Sequence, residues 1–220
     1  MTPAETATLR PRIEGEREQE IFEAAIDVLA EVGYDRLTMD AVAARAKASK
    51  ATLYRRWNGK IPLLIDALLN SKEHSHSPAD TGTLRGDLLE MFCGMGGLTD
   101  HDSVAVFGSV VTALCRDEEF AAAFRTEFIG PKSAASHAMF ERARARGEIG
   151  EHVDLDLLAP ALAGIVMHRV FMLGELPDEG LVERVIDQII LPAATHRPDT
   201  VAGARTSHTR TSPRTQKDLT

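Results

Sequence analysis

The chain is short of the residues on which several kinds of protein depend. Its 220 residues include only two cysteines, one tryptophan and two tyrosines. Cys93 and Cys115 lie in apolar stretches of helical periodicity without secretory features. A structural disulfide is therefore not expected, and both read as small buried hydrophobes. The opening residues MTPAETATLRPRIEGEREQE are polar where a signal peptide needs an apolar centre. No apolar run is expected to reach the roughly 18 residues that span a bilayer. These absences point to a soluble, cytoplasmic protein with no membrane partner. There is no G-x-S-x-G elbow, no glycine loop to cradle a phosphate and no paired metal motif. His74 and His76 form an H-x-H pair with no second closely spaced pair beside it, too little for a metal site. The chain is read as a non-enzyme with neither metal nor cofactor.

What is present is material for a core and an uneven distribution of charge. Hydrophobic residues make up 44% of the chain, enough to fill one or two globular domains. Their spacing is helical from end to end, so the fold class is all-α. The formal net charge is -8. Residues 1–70 carry 10 Lys and Arg against 11 Asp and Glu, residues 71–192 carry 10 against 20, and residues 193–220 carry 5 against 2. Inside the first block, residues 41–65 hold Arg45, Lys47, Lys50, Arg55, Arg56 and Lys60 with no acid among them. Neutralisation of phosphates supplies most non-specific affinity for nucleic acid. Any such contact must come from this cationic island or from the tail, since the middle of the chain would be repelled.

Residues 1–15, with Pro3, Pro11 and Gly15, describe a flexible arm. Residues 16–70 read as a helix-turn-helix DNA-binding domain. Ile21, Phe22, Ala25, Ile26, Leu29 and Val32 form the stripe of a first amphipathic helix, and Gly33 stops it. Thr38 is placed to cap a second helix whose narrow face is Met39, Val42, Ala43 and Ala46. Lys47 and Ala48 form the break, and Ser49 caps a third helix that turns Leu53 and Trp57 inward. Asn58 and Gly59 end it, and a fourth helix opens at Lys60, with Pro62 tolerated in its first turn. A helix laid in a major groove offers its N-terminal half to base edges. On that geometry Lys50, Thr52 and Arg55 are the base-reading candidates, with Ala51 against a thymine methyl. Thr38, Ser49, Tyr54, Arg56 and Lys60 form the phosphate set.

A polar linker, EHSHSPADTG, opens the second region, residues 71–194. Leu84, Leu88, Met91, Phe92 and Met95 mark one helix and residues 104–115 another. Residues 118–146 continue the pattern up to Gly130-Pro131, where proline must kink or restart the helix. Residues 155–173 are almost unbroken apolar sequence, and Leu181, Val182, Val185, Ile186, Ile189 and Ile190 repeat at helical spacing. Residues 195–220 have hardly any apolar side chains and read as a disordered basic tail.

The run AAIDVLAEVGYDRLTMDAVAARAKASKATLYRRWNGKIPLL, residues 24–64, resembles the N-terminal domain of the TetR/AcrR family of transcriptional repressors. The likeness rests on the glycine-aromatic stop, the threonine-led second helix, the S-K-x-T-L-Y recognition helix and the lysine that opens helix four. Lys47 stands where the family usually has glycine, and Trp57 where it has phenylalanine or tyrosine. The resemblance implies DNA contacts at Thr38, Lys50, Tyr54 and Lys60. It further implies a homodimer joined through the two final long helices, and release from operator DNA by a small, largely apolar ligand in the second domain. Candidate pocket residues are Met91, Phe92, Met95, Phe107, Val111, Phe124, Phe128, Met167, His168 and Phe171. Two alternatives stay open: a redox-responsive regulator acting through Cys93 and Cys115, and an architectural DNA-binding protein without an effector.

Overall fold

The structure, a computed structural model, describes residues 14–70, 80–93 and 101–196, and the regular elements among them are all helical. The basic arm up to residue 13, linker residues 71–79 with His74 and His76, Met95, and the tail from residue 197 lie outside the described residues.

Helix α1 (Glu14–Val32) buries Ile21, Phe22, Ala25, Val28 and Leu29 along one stripe. It stops at Gly33, whose φ of 74° places it in the left-handed region that a side chain resists. Helix α2 (Met39–Arg45) starts where the Thr38 hydroxyl accepts from the Ala41 amide at 3.2 Å. Its small face, Met39, Val42, Ala43 and Ala46, is buried. Helix α3 (Lys50–Arg56) follows and buries Leu53, with Trp57 as its buried C-cap. Helix α4 (Lys60–Asn70) is enclosed on most sides, burying Leu63, Leu64, Ile65, Ala67 and Leu68. Each large side chain removed from water in this way contributes about 1.5–3 kcal/mol.

That enclosure comes partly from the second region. Helices α5 (Leu84–Cys93) and α6 (His101–Arg116) are followed by α7 (Glu118–Ala123), and α6 packs on α1 while α7 packs on α4. Val110, Ala113, Phe120, Phe124 and Phe128 join the residues of α1 to α4 in one continuous apolar core. At Gly130-Pro131 the chain neither breaks nor stops. A π-helical turn, Phe124–Ile129, widens the helix just before it, and the Gly130 amide reaches back to the Arg125 carbonyl. Pro131 then sits in the first turn of α8 (Gly130–Ala145), where it is tolerated.

Helix α9 (Leu155–Leu158), α10 (Ala161–His168) and a π turn, Arg169–Leu173, run head to tail. Together Leu155–Leu173 is a run of 19 residues, long and apolar enough by length and composition to cross a membrane. This corrects the expectation that no apolar run reaches that length. A turn at Ala159 and Pro160 separates α9 from α10, while the charged Asp156 and Arg169 lie within helical turns. Leu155, Leu158, Leu162, Val166 and Val170 form its buried stripe in a second core, as a core helix requires. Helix α11 (Glu179–Val185), a π turn, Ile186–Ile190, and α12 (Leu191–Thr195) complete that core with α5 and α8. Asp87 is the buried acid there. It accepts from the Thr81 amide at 2.6 Å, the Thr81 hydroxyl at 2.7 Å and Arg146 at 3.2 Å. Burial alone would raise its pKa, but these hydrogen bonds outweigh it and hold the carboxyl below its ordinary value.

Candidate nucleic-acid interface

Helix α3 is seven residues long and is held at both ends. At its start the Ser49 hydroxyl accepts from the Thr52 amide at 3.1 Å and shares a 2.8 Å hydrogen bond with the Thr52 hydroxyl. At its end the Trp57 indole N–H donates to Asp66 of α4 at 2.8 Å, and the indole meets Phe22 edge-on at 5.7 Å. With Leu53 and Trp57 pinned inward, Lys50, Ala51, Tyr54 and Arg55 are left on the exposed side. Tyr54 is 54% exposed. Thr52 is half-buried.

The turn before α3 is shaped by Lys47, at φ 50° the single non-glycine residue with positive φ among the described residues. Arg17 of α1 donates to the Lys47 carbonyl at 2.8 Å, and the Ala48 amide returns to Ala43 at 2.9 Å. The backbone is therefore fixed from two sides although its residue is not the one best suited to it.

The island is less positive than its sequence. Lys50 lies 2.5 Å from Asp40, Arg56 donates to Glu18 at 2.8 and 3.1 Å, and Arg45 pairs with Glu31 and, at 3.7 Å, with Asp27. These pairs are solvent-exposed, so each contributes little and yields readily to a phosphate. Lys47 and Arg55 are the island cations whose side chains have no partner among the described residues.

Lys60 is held differently. Its ammonium sits 3.8 Å over the Tyr34 ring centroid and 3.3 Å from the Tyr34 carbonyl. The Tyr34 hydroxyl donates to Asp117 at 2.5 Å, and its ring lies 4.9 Å from that of Phe120. Asp117 also caps α7, accepting from the Phe120 amide at 3.0 Å. Burial, then the hydrogen bond and charge of Asp117, push the Tyr34 hydroxyl far above its ordinary range. The Phe120 amide and then the Tyr34 hydroxyl hold the Asp117 carboxyl low. Sequence reading missed both Asp117 and the polar role of Tyr34, since nothing local links residues so far apart.

The pocket candidates fall into separate groups. Phe124 and Phe128, stacked at 4.7 Å, are buried in the first core. Met91, Phe92 and Phe171 pack against the second, and Phe107 stacks on Phe171 at 6.0 Å. Val111 and Met167 are half-buried, and His168 is exposed. Leu157, Met172 and Leu173 are 73%, 70% and 53% exposed, with Leu176 and Ile189 exposed as well. Cys115 is an exposed free thiol, so the expectation that it is buried does not hold.

Comparison with known proteins turns this geometry into a family. A profile described as "Bacterial regulatory proteins, tetR family" matches residues 21–67, and one described as "Tetracyclin repressor-like, C-terminal domain" matches residues 78–189. An HTH-type transcriptional regulator of Mycobacterium bovis is 35% identical over 182 residues, covering 81% of this chain and 88% of its own. The chain belongs to the TetR family of transcriptional regulators. A DNA-binding transcriptional repressor TetR of Mycobacteroides abscessus is 33% identical over 177 residues, 80% of this chain and 92% of its own. The crystal structure of a TetR family transcription regulator superposes with a TM-score of 0.62 at 27% identity, covering 80% of this chain and 97% of that one. Within this TetR-family regulator, the tryptophan that departs from the family pattern has a local reason: Trp57 supplies an N–H to Asp66 that phenylalanine lacks.

Proposed function

We propose that this TetR-family regulator is a homodimeric repressor that reads operator DNA with α3 and leaves it when a small, largely apolar molecule binds its second domain. The observation that carries the reading is the exposed face of Lys50, Ala51, Tyr54 and Arg55 on a helix capped by Ser49 and anchored by Trp57. Lys50 and Arg55, with Ala51 and the partly covered Thr52, are assigned to base edges. Tyr54, Arg56, Lys60, Thr38 and Ser49 are assigned to phosphates. Lys50 and Arg56 exchange their carboxylate partners for DNA oxygens on binding. The similarity to the Mycobacteroides abscessus repressor favours repression over activation.

The exposed Leu157, Met172, Leu173, Leu176 and Ile189 support a dimer seam along the C-terminal helices. A two-fold dimer places two copies of α3 about 34–36 Å apart, one helical turn of DNA. An effector that prefers the state with a different spacing releases the operator, and each 1.4 kcal/mol of preference changes affinity about tenfold.

Fluorescence anisotropy on a duplex selected from a random pool tests the assignments. Tyr54→Ala and Lys60→Ala are expected to weaken binding to all sequences alike, with Lys60→Ala reducing the log–log salt slope by about 1. Unchanged affinity in both variants contradicts the reading.

A further inference from the structure

We propose that Asp117 and Tyr34 are positioning residues for the DNA contact of Lys60, forming a relay through which α7 of the second domain sets the affinity of the reading head. The inference rests on the reading of Lys60 as a phosphate contact. Tyr34 follows the stop of α1, Lys60 opens α4 and Asp117 caps α7, so three elements meet at one polar chain running from buried Tyr34 to half-buried Lys60 and Asp117 at the edge of the first core. Lys60 is the one DNA candidate joined in this way to the second domain among the described residues.

The chemistry gives each member a part. A lysine stem rotates freely, and a phosphate that fixes it must overcome the lost rotamer freedom. The Tyr34 ring, 3.8 Å beneath the ammonium, removes part of that freedom beforehand. The Tyr34 carbonyl takes one of the three ammonium donors and leaves two for a phosphate. Donation of the phenol proton into the Asp117 carboxylate at 2.5 Å fixes the ring and enriches its face toward the cation. Asp117 cannot move without α7, because its other hydrogen bond caps that helix. Arg116, the preceding residue, is tied to Asp35 beside Tyr34 at 2.8 Å, so a displacement of this corner acts on both sides of the ring. Helix α7 leads directly into Phe124 and Phe128 of the first core. Displacement of that aromatic run therefore alters the seat of Lys60 without touching α3.

The test uses the full chain, a duplex selected with the wild-type protein, and salt titrations over about 50 to 200 mM, where counterion release is read. Tyr34→Phe keeps the ring and its contact with Phe120, and Asp117→Asn keeps a side chain that caps a helix well. Each variant is measured alone and combined with Lys60→Ala, with thermal midpoints recorded alongside. Alone, each is expected to weaken binding about threefold to tenfold and to bring the salt slope toward that of Lys60→Ala. Combined with Lys60→Ala, neither is expected to weaken binding further. Equal losses with and without Lys60, at unchanged slope, overturn the proposal in favour of a general packing role. Lowered thermal midpoints with intact binding overturn it as well. A wild-type protein that selects no duplex overturns the underlying DNA-binding reading and this relay together. Wild-type binding that both variants leave unaltered overturns the relay alone.

Discussion

At the residue scale, the two departures from the family pattern turn out to be different in kind. Lys47 occupies a left-handed turn at a cost of about 1–2 kcal/mol, which the Arg17 bond to its carbonyl helps the surrounding structure to hold. Trp57 is instead a gain, since its indole N–H satisfies Asp66 where α3 meets α4. Trp57→Phe is expected to preserve the fold and lower stability by about 1–3 kcal/mol, because the partly buried Asp66 carboxylate loses its partner. Urea unfolding measures this, and an unchanged midpoint refutes the role of the bond. The caps were legible in the sequence at this scale: Thr38, Ser49 and Gly33 act on residues one turn away. The neutralisation of Lys50 by Asp40 and of Arg56 by Glu18 was not, since each acid stands on a different helix from its cation. A count of charges along the chain sees six cations where the folded surface leaves two unpartnered among the described residues.

At the scale of elements, periodicity located the helices but not the joints between them. Gly130-Pro131 read as a kink or restart of the helix because proline removes a hydrogen bond. The fold absorbs the defect in the π turn before it, where the wider register already leaves the following carbonyls differently matched. Pro160 divides Leu155–Leu173 into α9 and α10 at little cost, because a proline at the start of a helix gives up an amide that would have had no partner. The second core depends on an electrostatic joint that no periodic signal shows. Asp87 of α5, Thr81 before it and Arg146 after α8 meet inside it, and Glu148 accepts from the Leu84 amide at 2.7 Å. The folded carboxyl of Asp87 has a lowered pKa, so its contribution is present at neutral pH and is lost as pH falls through that lowered value. Asp87→Asn is expected to lower the thermal midpoint at neutral pH, and the difference from wild type is expected to shrink in acid. A difference that stays constant down to acid pH contradicts this account of the joint.

For the whole molecule, the decisive feature is that the reading helices and the second region share one core. Residues from α1 to α4 close around Val110, Ala113, Phe120, Phe124 and Phe128, so α4 is not a hinge between loosely joined bodies. The sequence signalled both regions through their helical patterns but not this fusion, whose partners lie far apart along the chain. Nor could it show that Phe124 and Phe128 belong to the shared core. Residues 71–192 carry 10 Lys and Arg against 20 Asp and Glu, a charge that disfavours docking of an anionic polymer on that region. Leu157, Met172 and Leu173 stay exposed on this body, and a second copy of the chain covering them is what the proposed dimer requires.

The most direct test of a paired reader is selection of bound duplexes from a random pool with the full chain, followed by footprinting of the winners. The account predicts a two-fold symmetric site whose half-sites are centred about 10 base pairs apart, or a multiple of that spacing, with both halves lost together in Tyr54→Ala. Winners carrying a single half-site, or a pool that shows no enrichment over random sequence, would contradict it.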